Sequence, residues 1–434
     1  MNLHKINNGC EFIMKKNYLY LVSVISIFSI TWICLIMVNN KNKEITSSDK
    51  MVLADIKNHY SKKVITNNEA KIYAIINGKF IEKGEINKDV TLLLDDQDLF
   101  LNTKYFKISD SDYYIEYQDV SKIKENNEKS TRYQKYLPFN ENIITKENFT
   151  MYQDDKVMFT FNDSMEFPII IKDYENQYYV EYQKQLLSIK KEDIKEIVQA
   201  MNTSKTNQKY ITTLAYHRVY GLSDKCTDPY ICMTKDHFDK QMKYLKDNNY
   251  LTLTMKEMYL YLNGKIQVEK AVCITMDDGY LFTLADEILG KYSLNGTLFV
   301  ITSAFKDYTK FMNLKNFEIQ SHTHNMHRNY VCPKNSSSSQ GGALLCASEQ
   351  EIQDDFQKSL ELLGVEPWGL AYPFYDYNEK AVKALAKSGL KMGFIGRAGQ
   401  LGKAYPYKTN LLKIPRMTVW EDNLMSFNTW KSYL

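Results

Sequence analysis

From Tyr210 to the C-terminus, short apolar runs alternate with longer amphipathic ones, and this alternation constrains the fold more than any other feature of the chain. Ile211–Tyr216 reads as a strand. Thr234–Asp247 reads as a helix capped by Thr234, and Thr254 with Glu257 three residues on forms a capping box before a second helix that Gly264 ends. Ala271–Met276 is an apolar strand, Leu281–Lys291 a helix, and Gly296–Ile301 and Phe317–Ser321 are strands. Ser348 with Glu351 caps a helix that stops at Gly364. Leu370–Tyr372, a helix from Asn378 to Ser388, and Lys391–Ile395 continue the pattern. Strands alternating with helices imply a parallel sheet, either open or closed into a barrel. In both cases the functional site lies at the carboxyl ends of the strands.

Upstream the character differs. Tyr18 to Val38 contains no charged residue, is long enough to span a bilayer as a helix, and follows Lys15 and Lys16. The run is longer than the apolar core of a cleavable signal peptide and closes on bulky Ile36, Met37 and Val38. An uncleaved signal anchor is therefore expected, which would make the protein single-pass in the cell membrane with its catalytic domain extracytoplasmic. A buried core helix is the alternative. Residues 1–17 would then be a cytoplasmic tail and 39–66 a stalk. Next, Tyr113-Tyr114-Ile115-Glu116-Tyr117-Gln118 recurs as Tyr178-Tyr179-Val180-Glu181-Tyr182-Gln183, each copy after a turn-like acidic stretch. Matching segments in matching order suggest two β-rich repeats, 67–130 and 131–198, in the style of SH3-like modules. They would serve as spacers or glycan binders. A polar linker, 199–209, leads into a domain over 210–434.

At 434 residues the chain has room for two or three domains. Its formal net charge of +3 gives no support to a nucleic-acid partner, and nothing in it points to a protein partner. The cysteines form no C-x-x-C pair, so neither a zinc ribbon nor a thioredoxin-like motif is indicated.

Four strand ends carry chemistry. Asp277 and Asp278 follow the Ala271–Met276 strand, and a turn at Gly279 lets both carboxylates reach one site, one for a metal and one for a proton. In Ser321-His322-Thr323-His324-Asn325-Met326-His327, three of the chain's seven histidines fall within six residues. Two imidazoles and one carboxylate hold a divalent ion while leaving positions open, and such an ion lowers the pKa of a coordinated water towards ~7. His217 ends the first strand in Leu214-Ala215-Tyr216-His217. The fourth end is Leu370-Ala371-Tyr372-Pro373-Phe374, where a strand breaks at proline.

Together these motifs resemble the NodB-type polysaccharide deacetylases, carbohydrate esterase family four, and most of all the branch acting on poly-N-acetylglucosamine. An early Tyr-His motif and the i, i+5 spacing of His322 and His327 carry that likeness, which covers about residues 210–420. It implies a distorted (β/α) barrel that hydrolyses N-acetyl groups from an extracellular N-acetylglucosamine polymer, either peptidoglycan or poly-N-acetylglucosamine. Asp277 would be the general base and His217 the general acid. Asp278, His322 and His327 would ligate the metal, zinc in the first instance, with cobalt, nickel or iron(II) as alternatives. Tyr372, Pro373 and Phe374 would form the substrate and oxyanion pocket. Three departures stand out. Ala371 replaces the arginine that orients the base in many relatives, a role Arg416 is positioned in sequence to take. Met276 replaces a Phe and Tyr375 a Gly. His324 is the alternative to His327 as a ligand. The other functional readings are a polysaccharide O-acetyl esterase and a catalytically silent glycan-binding protein.

The last expectation concerns cysteine. Cys226 and Cys232 flank a short loop after His217, and Cys332 and Cys346 bracket the Ser/Gly-rich stretch after the histidine cluster. Cross-linking such loops lowers the entropy lost on ordering them. Bridges Cys226–Cys232 and Cys332–Cys346 are expected, with Cys273 free in its strand. Fully reduced thiols, or a cross-loop pair such as Cys232 with Cys332, are the competing arrangements.

Overall fold

The computed structural model describes residues 61–95, 104–123, 132–200, 205–221, 224, 226–333, 340–396, 401–421 and 423–434. The chain separates into two compact units that divide between residues 124 and 125.

The first unit is all β. Lys63–Thr66 pairs antiparallel with both Thr91–Leu93 and Val120–Lys122. Ala70–Ile76 pairs with Lys79–Ile86 across Asn77-Gly78 and also with Tyr113–Glu116, which pairs in turn with Tyr105–Lys107. Asn77 and Gly78 both have positive φ (51° and 76°), the conformation a two-residue hairpin requires. A 3-10 turn, Tyr117–Asp119, precedes the closing strand.

The second unit opens with the same pattern. Glu141–Thr145 pairs with Glu166–Pro168 and Ile194–Gln199. Phe149–Gln153 pairs with Lys156–Phe161 and with Gln185–Lys190, which pairs with Gln177–Tyr182. A 3-10 turn, Lys191–Asp193, again precedes the last strand. The recurring hexapeptide does not mark equivalent places in the two patterns. Tyr113–Gln118 runs from a strand into the 3-10 turn, whereas Tyr178–Gln183 occupies the strand before that and ends in the Gln183–Lys184 hairpin turn. Tyr, Ile, Val and Glu suit any half-buried strand, so a repeated string of them follows strand chemistry rather than topology. Tyr136–Leu137 pairs with Gln267–Val268, and Ile170, Ile171 and the partly buried Tyr179 and Leu186 pack into the core of the α/β domain. Arg132 adds a bidentate ion pair to Glu257, which is the acidic residue of the capping box.

Seven parallel strands follow: β1 Ile211–Tyr216, β2 Ala271–Met276, β3 Gly296–Val300, β4 Phe317–Ser321, β5 Gly369–Ala371, β6 Met392–Gly396 and β7 Ile414–Thr418. Each pairs in parallel with the next, and β1 pairs with both β2 and β7, so the sheet closes into a barrel. Every residue of β1, β2 and β3 is buried, as expected for strands covered on both faces. Helices α1 Lys235–Asp247, α2 Met255–Leu262, α3 Thr283–Lys291, α4 Thr309–Met312, α5 Glu349–Leu363, α6 Glu379–Lys387 and α7 Phe427–Ser432 accompany them. Capping boxes at Thr254/Glu257 and Ser348/Glu351 start α2 and α5, and Gly364 ends α5 at φ 61°. Thr234 precedes α1 without capping it, because its hydroxyl donates to Glu421 instead.

The membrane expectations are corrected. The apolar run at 18–38 lies outside the described residues, and among the described residues no helix is long and apolar enough to cross a membrane. The longest, α5, has 15 residues. At 1.5 Å per residue it spans about 22 Å, short of the roughly 30 Å of hydrocarbon, and it is amphipathic. The described fold is therefore an α/β barrel domain with β-rich regions and no transmembrane helix. With no such helix among the described residues, the expected single-pass anchor is overturned, and with it the membrane partner and the cell-membrane location with an extracytoplasmic domain.

Candidate metal centre

The carboxylate and imidazole groups gather where the strands end. At the end of β2, the Asp277 N–H donates to the Tyr216 carbonyl at 2.9 Å, which ties the turn to the neighbouring β1. Asp278 then takes φ 75° and Gly279 φ 88°. A Cβ on Gly279 would meet Phe305 and Phe311 at 3.1–3.3 Å, so the turn needs glycine for space as well as for φ. The left-handed step sends successive carboxylates to different places: Asp277 into the barrel mouth and Asp278 towards the histidines.

Asp277 is almost fully buried at 1 % exposure and is gripped by Arg416 from β7, itself at 0 %. Nη1 donates to Oδ1 at 2.7 Å and Nη2 to Oδ2 at 2.8 Å, while Nη1 also reaches Thr275 Oγ1 at 3.1 Å. Burial pushes the Asp277 carboxyl up, but the Arg416 guanidinium, helped by His322, overcomes it and holds the group below the usual carboxylate range. Arg416 thus reaches Asp277 with two donors, from a strand that Ala371 does not share.

Asp278 Oδ1 lies 3.5 Å from His322 Nε2 and 3.3 Å from His327 Nε2. One ligand atom from each of Asp278, His322 and His327 lies within 4.8 Å of the others, a divergence small enough for a single ion to fill. His322 is fixed in orientation, since its Nδ1 meets the Ala371 carbonyl at 2.8 Å and Nε2 is left to face the carboxylate. His327 packs against Phe374, ring centroids 4.3 Å apart. Burial raises the Asp278 carboxyl, yet hydrogen bonds from both imidazoles bring it well below its ordinary value. The donor set of two imidazoles and one carboxylate fits a divalent ion. His324 turns away, its Nδ1 on Thr302 Oγ1 at 2.9 Å, so it is not part of this group.

The loop between the two histidines is held by Asp355 of α5, which sequence reasoning missed. Its carboxylate accepts the His324 N–H at 2.8 Å and the Asn325 N–H at 2.7 Å. Nothing local in the sequence marks Asp355: its partners lie 30 and 31 residues away and reach it only through packing of α5 on β4.

His217 follows β1, whose last residue Tyr216 is locked by its hydroxyl donating to Gln241 at 2.7 Å and accepting from Trp430 Nε1 at 3.2 Å. His217 Nδ1 is buried with no hydrogen-bond partner among the described residues. Burial lowers its pKa, against the raising effect of Asp277 and Asp278. After β5, Pro373-Phe374-Tyr375 forms a 3-10 turn in which Phe374 and Tyr375 both take positive φ (53° and 60°). Tyr372 does not line an open pocket: it is fully buried and its hydroxyl donates to the Leu412 carbonyl at 3.1 Å. The Tyr372 ring, one residue past β5, packs into the core beside α6, while Phe374 is half-buried. Tyr375 stands near His217, centroids 6.5 Å apart, and its hydroxyl accepts from Thr418 at 3.1 Å. Cys226 is bonded to Cys232 and Cys332 to Cys346, while Cys273 is buried with a free thiol.

Residues 264–393 match the family model described as polysaccharide deacetylase, a span that holds the Asp and His groups but not His217 or Arg416. YxkH of Bacillus subtilis (strain 168), named for the same family, is 31% identical over 176 residues, which are 38% of this chain and 59% of that protein. The chain therefore spans less than two thirds of the length of that relative. The poly-beta-1,6-N-acetyl-D-glucosamine N-deacetylase of Staphylococcus aureus (strain MRSA252) is 27% identical over 238 residues, 48% of this chain and 78% of that protein. Among solved structures, the Streptococcus pyogenes deacetylase PplD in complex with acetate is 24% identical and covers 52% of this chain and 99% of its own, at a TM-score of 0.41. On the family match, the chain carries a polysaccharide deacetylase domain of the NodB-homology family, related at modest identity to the poly-N-acetylglucosamine deacetylases.

Proposed function

We propose that the domain hydrolyses N-acetyl groups of an N-acetylglucosamine-containing polysaccharide with the help of a divalent ion, zinc, held by Asp278, His322 and His327. The observation that carries this reading is the convergence of that carboxylate and those two imidazoles beside a second, arginine-gripped carboxylate. An ion bound there supplies Lewis acidity, polarising the amide carbonyl and acidifying a water. Asp277 takes the proton from the attacking water, its ionised form kept available by Arg416. His217 delivers a proton to the departing amine, which leaves poorly without one. The Phe374 backbone N–H is assigned to the developing oxyanion, on a turn whose two positive-φ residues hold it at the end of β5. Phe374 and Pro373 wall the acetyl group.

The test is zinc content per chain together with release of primary amine from N-acetylglucosamine oligomers. One zinc per chain and steady amine release are expected. Asp277→Asn should keep the zinc and lose turnover, whereas His322→Ala should lose both. A zinc-loaded protein that frees acetate from O-acetylated but not N-acetylated oligomers would replace this reading with an esterase.

A further inference from the structure

Among the described residues, the fold positions the Arg218 guanidinium without giving it a hydrogen-bond acceptor. Arg218 directly follows His217, at the start of the short strand Arg218–Tyr220. That strand pairs in parallel with Cys232–Thr234, placing Arg218 opposite Cys232, and the Arg218 N–H donates to the Ile231 carbonyl at 3.0 Å. On its other side, the Val219 N–H donates to the Leu281 carbonyl at 3.0 Å. The backbone is thus pinned between the loop closed by Cys226–Cys232 and the turn that carries Asp278.

The side chain lies over the Tyr280 ring, 5.3 Å from its centroid, and Tyr280 itself is 39% exposed. The nearest carboxylate oxygen is Asp278 Oδ2 at 3.9 Å, beyond hydrogen-bonding reach. Nε is buried and has no acceptor among the described residues. The contrast with Arg416 is direct: that guanidinium places two donors on Asp277, at 2.7 and 2.8 Å. Asp278 meets the two imidazoles through Oδ1 and pairs with Arg218 through Oδ2 only at 3.9 Å, so its one charge is shared among three cationic or donor groups and the Arg218 fork keeps its donors unbonded among the described residues. A planar fork of donors, fixed by its backbone, half-buried at the rim of the centre and laid on an exposed aromatic ring, matches the two oxygens of a carboxylate.

We propose that Arg218, with Tyr280 beneath it, binds a carboxylate at the rim of the metal centre. The proposal rests on the deacetylase reading for the two sources of that group: acetate released by the reaction, or an acidic substituent on the polysaccharide next to the reacting sugar. Either source presents the same two oxygens to the fork.

The experiment compares the zinc-loaded full chain with Arg218→Gln, after zinc content has been measured for both. Sodium acetate and neutral acetamide are titrated calorimetrically, and kcat/KM is measured on a neutral N-acetylglucosamine tetramer and on a tetramer alternating with muramic acid. Losing a charge-assisted bidentate contact should weaken the carboxylate ligand by about 10- to 100-fold and leave the neutral one almost unchanged. A loss confined to acetate assigns the site to the product, and a loss confined to the muramic tetramer assigns it to the polymer. Arg218→Lys, which keeps the charge and not the fork, should recover only part of the binding; it replaces Arg218→Gln if the latter fails to hold zinc. Unchanged acetate affinity together with an unchanged substrate ratio overturns the proposal. Wild-type protein that binds acetate through Arg218 but frees no amine from any oligomer would instead sink the deacetylase reading and leave the carboxylate site standing.

Discussion

Replacing Arg416 with methionine tests whether the charge pair at the barrel mouth organises the site. The substitution keeps most of the side-chain volume between Phe299 and Tyr375, whose centroids lie 5.6 and 5.5 Å from the guanidinium carbon. It removes both donors to Asp277, at 2.7 and 2.8 Å, and leaves a carboxylate whose side chain is only 2% exposed. Breaking one side of such a buried pair costs about 3–5 kcal/mol. At about 2–4 °C per kcal/mol for a domain of this size, the melting temperature should fall by roughly 6–20 °C. The pH dependence identifies the cause. In the parent protein Arg416 holds the Asp277 carboxyl below its ordinary range, so the group contributes stability above its unfolded pKa of about 4 and loses that contribution as pH falls through the folded value. Without Arg416, His322 and His217 alone oppose burial, the folded pKa rises, and the deficit of Arg416→Met should be largest near neutral pH and shrink towards pH 4. The acid limb of kcat/KM should move to higher pH, while an added divalent ion should still bind at Asp278, His322 and His327. Chemical and thermal denaturation at both pH values, with a double-mutant cycle through Asp277→Asn, measures these effects. Adding Asp277→Asn should relieve part of the loss by removing the stranded charge. A deficit equal at pH 7 and pH 4 would mean a packing defect, and an unchanged melting temperature and acid limb would refute the pair as the organiser of Asp277.

Three further outcomes are expected. His217→Ala should lower turnover of N-acetyl amides by about 10²–10⁴ and barely affect an activated aryl acetate, whose leaving group needs no proton; equal losses on both substrates would remove the acid role. Asp355→Ala frees the N–H groups of His324 and Asn325, so zinc affinity should fall by about 10- to 100-fold with the fold retained, as competition with a chelating dye would show. Reducing or replacing the bridges should destabilise the protein by about 3 kcal/mol for the 14-residue Cys332–Cys346 separation and about 2 kcal/mol for the 6-residue Cys226–Cys232 one, read from urea midpoints with and without reductant.

Much of the barrel and its centre is legible in the chain itself. Continuous apolar runs such as Ala271–Met276 can be buried only as strands covered on both faces, and the capping boxes at Thr254 and Ser348 set helix starts by local hydrogen bonds. A left-handed turn is written into Asp278-Gly279 for the same reason: the information is local. So is the spacing of His322 and His327 on one loop. Tertiary structure alone decided which groups those residues meet. Barrel closure brings Arg416 to Asp277 across 139 positions of sequence, packing of α5 on β4 brings Asp355 to the histidine loop, and burial beside α6 withdraws Tyr372 from the rim. The recurring hexapeptide shows the limit most directly, because identical strand chemistry serves two different strands of one topology. Side-chain type and periodicity are local properties of the chain, whereas the partner of a buried charge depends on which distant strand end the closed sheet places beside it.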